Sequence, residues 1–270
     1  MNTQYPFKDL FLRLSLYETI SIETNSEIVQ NLLSSNRNYY FDCYCIGCKK
    51  ESTFRLFSNM FASGVSPDHG TNLEMLNRFE LPNEIHFSCQ RDPQHKYSYH
   101  FKIQNSNITK VGQYPSMADI EIPGIQKYEK LLKRDYRDFS KAIGLHSHGI
   151  GAGSFVYLRR IFENLIEDMH KKSQQENDWD DELYQRSKMD EKIKLLKNKL
   201  PDDLVHNRAV YGIMSKGIHE LTESECLGLF PDVKLGIELI LDEKLYQLER
   251  ESKRKTFSSF VSNTTADLKQ

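Results

Sequence analysis

The sequence predicts an α+β fold, with β-hairpins and short helices up to residue 120 and a helical bundle after it. Three observations support this. Aromatic-rich, strand-like stretches with turn residues between them fall before residue 112. Apolar residues recur at steps of three and four from Gly153 to Met169 and again from Val233 to Leu248. The segment KVGQYPSMADIEIPG, residues 110–124, carries the glycine and proline punctuation of a hinge. The expected division is 1–120, 121–250 and a frayed tail over 251–270, basic first and then rich in Ser and Thr.

Composition limits the function. The chain has 270 residues, enough for two domains, with 39% hydrophobic and 27% charged residues. No apolar run approaches the roughly 20 residues that span a bilayer, and MNTQYPFKDLF lacks the basic flank and apolar stretch of a signal peptide. A cytoplasmic protein with no membrane partner is expected. Net charge is −2, so nucleic-acid binding would require a local basic patch. The five cysteines are an odd count, which in a reducing compartment favours metal or free thiols over a disulfide framework.

In the first part, Tyr5–Leu16 and Asn25–Leu33 read as short helices. Tyr39–Tyr44 and Ser52–Phe57 flank CIGCKKE as a hairpin with a knuckle at its tip. Ser58–Leu81 is a less regular insert with a short helix at Thr71–Phe79. A second hairpin joins Glu84–Ser88 to Tyr97–Ile103 through CQRDPQH, and Asn107–Val111 adds an edge strand. Cys45 and Cys48 form a C-x2-C knuckle, and Cys89 and His95 sit on the other tip. Three sulfurs and one imidazole make the ligand set of a closed, tetrahedral structural Zn2+ site. Two alternatives stand beside it. Cys43 shares a strand face with Cys45, and His86 could replace His95. His95 is preferred, because a turn containing Pro93 can fold back to Cys89.

In the second part, Ile125–Ile143 reads as a charged helix with the densest run of basic residues, diluted by acids that favour a solvated face. GLHSHGIGAGS, residues 144–154, lacks the ending of a phosphate loop, so a tight turn is expected with Ser154 as N-cap. The central helix follows, with Phe155, Leu158, Phe162, Leu165 and Met169 inward. Lys171–Gln185 is polar, and Lys188–Leu200 and Asp203–Ile218 are helices. Thr222 and Glu225 form a capping box before the last amphipathic helix.

The order of elements from Ile122 to Leu248 resembles the HEPN superfamily, helical bundles of prokaryotic defence, toxin and repair systems, and in particular an uncharacterised bacterial branch. Arg159, Arg160 and Glu163 match its R-R-x-x-E type motif, and SKGIHEL, residues 215–221, matches part of its glycine-polar-x-x-His motif. A zinc ribbon ahead of the bundle is familiar in that setting. Catalytic HEPN proteins are metal-independent RNases in which four to six residues separate an arginine from a histidine that follows it. No such pair exists here: nine residues separate Arg160 from His170, and three separate Arg91 from His95.

The resemblance therefore implies a non-catalytic component that engages RNA, another nucleic acid or a protein, and that pairs as a homodimer. The alternative is an atypical endoribonuclease in which Arg160, Glu163, Lys216 and His219 meet in one polar cleft between two helices. Tyr211, Met214 and the last helix are the expected apolar remainder for pairing.

Overall fold

The computed structural model describes residues 6–23, 39–59 and 83–267. Two compact units make up the chain: Met1–Gln126 with Ile143–Gly151, and Lys127–Ala142 with Ala152–Gln270. The helices expected at Asn25–Leu33 and Thr71–Phe79 lie outside the described residues.

In the first unit, helix α1 (Asp9–Leu12) precedes strands β1 (Thr19–Ser21), β2 (Tyr40–Cys45), β3 (Lys50–Asn59), β4 (Asn83–Cys89), β5 (Lys96–Gln104) and β6 (Asn107–Tyr114). These strands form one antiparallel sheet in the order β1-β6-β5-β4-β3-β2. The two expected hairpins are both present, joined edge to edge through β3 and β4. Residues 107–111 belong to an inner strand rather than an edge, because β1 pairs outside β6.

Strand alternation sorts the side chains. Phe41, Phe54, Phe87, Tyr97, Tyr99 and Phe101 are buried on one face. Phe11 of α1 is set among them, with ring centroids 4.8 Å from Phe87 and 5.0 Å from Tyr99. The helix expected over Tyr5–Leu16 is only one turn long, and its carbonyls have an unusual partner. Lys110 of β6 is fully buried, and its Nζ donates to the carbonyls of Phe11 and Leu14 at 2.8 Å each.

The expected hinge at 110–124 is regular structure. Its first residues complete β6, and helix α2 (Met117–Ile125) follows and lies along β2. Ser116 caps that helix: its hydroxyl accepts from the Asp119 amide at 3.1 Å, and the Asp119 carboxylate accepts from the Ser116 amide at 3.1 Å. Serine followed by aspartate three places on is a start signal, and it outweighs the neighbouring prolines.

The helix expected over Ile125–Ile143 is interrupted. A 3-10 turn (Gln126–Tyr128) leads to helix α3 (Glu129–Leu132), then Lys133 takes a φ of +54° and helix α4 (Asp135–Ser147) begins afresh. A left-handed residue cannot continue a right-handed helix.

The second unit also contains helices α5 (Gly151–Ser173), α6 (Asp181–Arg186), α7 (Met189–Leu195), α8 (Asp202–His206), α9 (Val210–His219) and α10 (Glu223–Asp267). All five residues expected inward on α5 are buried. The turn before α5 is shorter than expected. Ser154 is buried inside the helix rather than capping it, and the Glu223 carboxylate accepts from the Ala152 amide at 3.1 Å instead. Gly217 of α9 lies hard against Phe155: a Cβ there would sit 2.4 Å from the ring, so only glycine allows the two helices to approach this closely. The capping box at Thr222 forms as expected, with the Glu225 carboxylate 2.8 Å from the Thr222 amide. Helix α10 then continues through the expected tail to Asp267.

Burial pulls the Lys110 ammonium down to about 7, against the pull of the Glu18 and Glu121 carboxylates. The unfolded chain therefore holds this proton from pH 7 up to the ordinary lysine value, where the folded chain has already released it. Stability rises with pH across that window, by at most about 1.4 kcal/mol per pH unit from this group, and levels off below it. Lys110→Met leaves two carbonyls without a donor and should cost about 1–3 kcal/mol. Urea unfolding of both proteins should show the cost growing from pH 6 to pH 9; an equal cost at both would remove the lysine from this role.

Candidate metal centre and the charged face of the central helix

The β3–β4 pairing sets Phe54 opposite Cys89, so the β2–β3 and β4–β5 turns lie at the same end of the sheet. Cys45 ends β2 and Cys89 ends β4; both are fully buried. Between Cys45 and Lys50 the chain curls back, and the Lys49 amide donates to the Cys45 carbonyl at 2.7 Å. The Cys48 amide points at the Cys45 sulfur from 3.4 Å. Lys49 completes the curl with a φ of +54°.

Four ligand atoms converge here. Cys45 Sγ and Cys48 Sγ lie 3.6 Å and 3.3 Å from His95 Nδ1, and Cys48 Sγ lies 3.8 Å from Cys89 Sγ. All four lie within 4.8 Å of one another. Around a tetrahedral ion with metal–sulfur bonds of ~2.3 Å and a metal–nitrogen bond of ~2.0 Å, sulfurs sit ~3.8 Å apart and sulfur to nitrogen ~3.5 Å. The cluster matches that figure and could hold a metal ion.

The surroundings favour it. The far ring nitrogen of His95 lies 3.4 Å from the Asp92 carboxylate, the arrangement that fixes a ligating imidazole. Burial raises the Cys89 thiol, but hydrogen bonds from the Ser52 hydroxyl and the Asp92 and Arg91 amides outweigh it and bring it to about 6. Burial and the neighbouring Cys45 and Cys89 sulfurs push Cys48 up to about 11, so Cys89 is the first of the two to carry a thiolate.

Both sequence alternatives are otherwise engaged. His86 Nδ1 lies 2.9 Å from the Ser98 hydroxyl, and its Nε2 lies 3.3 Å from Glu84. Cys43 is buried further down β2, where burial pushes its thiol well above the ordinary range.

The expected polar cleft does not form from the four residues proposed for it. Arg160 donates to the Asp138 carboxylate of α4 at 3.1 Å and lies over the Tyr157 ring. Glu163 belongs to a different set. It accepts from Arg159 Nε at 2.8 Å and from the Tyr211 hydroxyl at 3.0 Å, while Arg159 donates to that hydroxyl at 2.8 Å. Lys216 and His219 are exposed on the last turn of α9. Among the described residues, neither side chain has a hydrogen bond or ion pair.

Helix phase explains the outcome. Gly217 faces α5, and His219 lies about 200° further round α9. Arg159, not Arg160, is the arginine turned toward α9. Tyr211 was the missing partner; with Met214 it was expected as an exposed apolar surface, yet Met214 is buried. Burial and the Glu163 carboxylate push the Tyr211 hydroxyl above its usual range. With Asn164 donating to Asp135 at 2.9 Å, the charged face of α5 works as a two-sided lock on α4 and α9.

A second cluster also escaped the sequence. His170 is buried, with Nε2 2.6 Å from Asp181, and it stacks on Tyr184 at 3.8 Å. Hydrogen bonds from His170, Gln174 and Trp179 hold the Asp181 carboxyl down at about 2. The polar stretch after α5 is thereby folded back onto the helix.

Comparison with family models, with curated proteins and with solved structures finds no match. Among the described residues no helix is long and apolar enough to cross a membrane.

Gly47 lies under the His95 ring, where a Cβ would meet Nε2 at 2.4 Å. Gly47→Ala should therefore push the imidazole away and weaken metal binding by about 10- to 100-fold in a chelator competition. Lys49→Gly relieves a left-handed residue and should leave affinity unchanged while stabilising the fold by up to ~1 kcal/mol. Equal affinity in the Gly47 variant would place the ring elsewhere.

Proposed function

We propose that this chain is a zinc-stabilised, non-catalytic protein that engages single-stranded nucleic acid, RNA foremost, in a prokaryotic defence or toxin setting in the cytoplasm. Zinc is the metal that suits three thiolates and one imidazole in a closed tetrahedron, and with no position left for water its role is architectural. Residues 1–120 then act as a zinc-ribbon-like domain, followed in the chain by a HEPN-like bundle over 121–250.

The observation that carries the nucleic-acid reading is on the outer face of the sheet. Tyr40, Arg55, Ser88 and Lys96 stand in register across β2, β3, β4 and β5. Tyr40 is 67% exposed and Phe57 is 54% exposed, and the Lys96 ammonium lies 4.5 Å above the Phe57 ring. Lys49, Lys50 and Arg91 are exposed at the turns beside this row. Exposed aromatic rings between cations provide stacking for bases and charge for the backbone that joins them. The local basic patch also answers the neutral overall composition.

The helical unit's kinship with HEPN bundles rests on Arg159, Arg160 and Glu163 in α5 and on residues 215–221. Two features favour a non-catalytic role over an endoribonuclease built on His219. The arginine–histidine spacing is missing, and Arg159, Glu163 and Tyr211 satisfy one another.

Protein purified without chelator should contain about one zinc per chain by elemental analysis, and Cys48→Ser should lose it. Full zinc in that variant would reject the ligand set. A fluorescent single-stranded RNA should bind the zinc-loaded protein, and Phe57→Ala or Tyr40→Ala should each weaken it by about 1–3 kcal/mol. Lys96→Ala should lower the salt slope by about 0.7. No RNA cleavage is expected from the parent or from His219→Ala. Absence of binding, or binding indifferent to all three sheet variants, would overturn the reading.

A further inference from the structure

Helix α10 has two apolar faces. Cys226, Phe230, Val233, Ile237, Ile240 and Leu241 are buried on one. On the other, Leu235, Tyr246 and Phe257 recur every eleven residues, three turns plus about 20°, so they stay in one line along the helix. Leu239 and Phe260 flank the same line. These five side chains are 47–67% exposed, and the line lies about 160–200° from Ile237 and about 200–240° from Val233. From Tyr246 to Thr265 every residue but Thr264 is exposed, so this half of the helix gains little from burial in its own chain.

We propose that a second copy of this chain covers the stripe, pairing α10 with α10 antiparallel about a two-fold axis at Tyr246. This goes beyond the nucleic-acid reading and does not depend on it. Charge decides the direction. Within about 40° of the line lie Asp242 before Tyr246 and Arg250 and Lys253 after it; Glu243 and Glu249 lie further out, about 60° to either side. A parallel pair would set each charge against its own kind. The antiparallel pair sets Asp242 against Arg250, Leu235 against Phe257, and Leu239 against the aliphatic stem of Lys253, with Tyr246 on Tyr246. Asp242 already holds Lys127 at 2.6 Å but is 47% exposed on its side chain, which leaves it open to a second cation.

The area is adequate. Three aromatic side chains of ~150–250 Å2, roughly two-thirds exposed, together with the aliphatic residues offer on the order of 600–700 Å2 per chain. A stable interface needs about 800 Å2 per partner, which the flanking residues complete. Such a contact is isologous: each pairing off the axis occurs twice.

Light scattering on the full chain should show a dimer at micromolar concentrations. Phe257→Glu should weaken it at least ~100-fold while the sheet and the bundle stay folded, because the residue is exposed. Asp242→Arg and Arg250→Asp should each weaken it by ~10-fold or more, and the double swap should restore the parent affinity. A monomer at all concentrations overturns the proposal, as does a dimer indifferent to Phe257→Glu. A double swap no better than its single variants overturns the antiparallel register.

Discussion

The pairing of β3 with β4 is the constraint on which the first unit depends. It is a long-range contact; without it β2–β3 would be a two-stranded ribbon and β1-β6-β5-β4 a separate four-stranded sheet, each with a bare edge. Once Phe54 stands opposite Cys89, the two turns share one end of the sheet. Three sulfurs and an imidazole from different turns then fall within the reach of one ion. The same register lines up Tyr40, Arg55, Ser88 and Lys96 on the opposite face. A bound ion would in turn cross-link the hairpins where loop-closure entropy resists them most.

In the second unit, polar side chains set the arrangement that apolar ones only permit. Phe155 and Gly217 allow α5 and α9 to touch, but a greasy stripe tolerates sliding. Arg159, Glu163 and Tyr211 do not, because each donor and acceptor fits only one axial position. Arg160 with Asp138 and Asn164 with Asp135 fix α4 in the same way. Partial burial makes the Arg159–Glu163–Tyr211 and Asn164–Asp135 bonds more costly to leave unmade than a surface pair such as Arg160–Asp138.

The sequence showed much of this where the signal was local. C-x2-C, the turn at Pro93 and strand alternation were enough to find both hairpins and the four residues whose ligand atoms converge. The capping box at Thr222 and the inward face of α5 were equally readable. What failed either carried a weak local signal or depended on partners far away in the chain. The break at Lys133 has no glycine or proline to announce it, and the Ser116–Asp119 cap was hidden among prolines. Arg159 and Arg160 look equivalent as letters; only the phase of α5 against α9 separates them. Tyr211 read as surface grease until its hydroxyl was seen between an arginine and a glutamate.

The length of α10 has a thermal consequence. Its 45 residues extend over about 68 Å. The first half rests on packed neighbours, whereas the second half must hold its backbone hydrogen bonds against water with side chains that touch little. Isolated helical stretches of that length are marginal. In the unpaired chain amide exchange should therefore quicken in steps along the helix, slow near Ile237 and fast near Phe260, so that without a partner copy over its stripe the far end melts in place while the bundle stays folded.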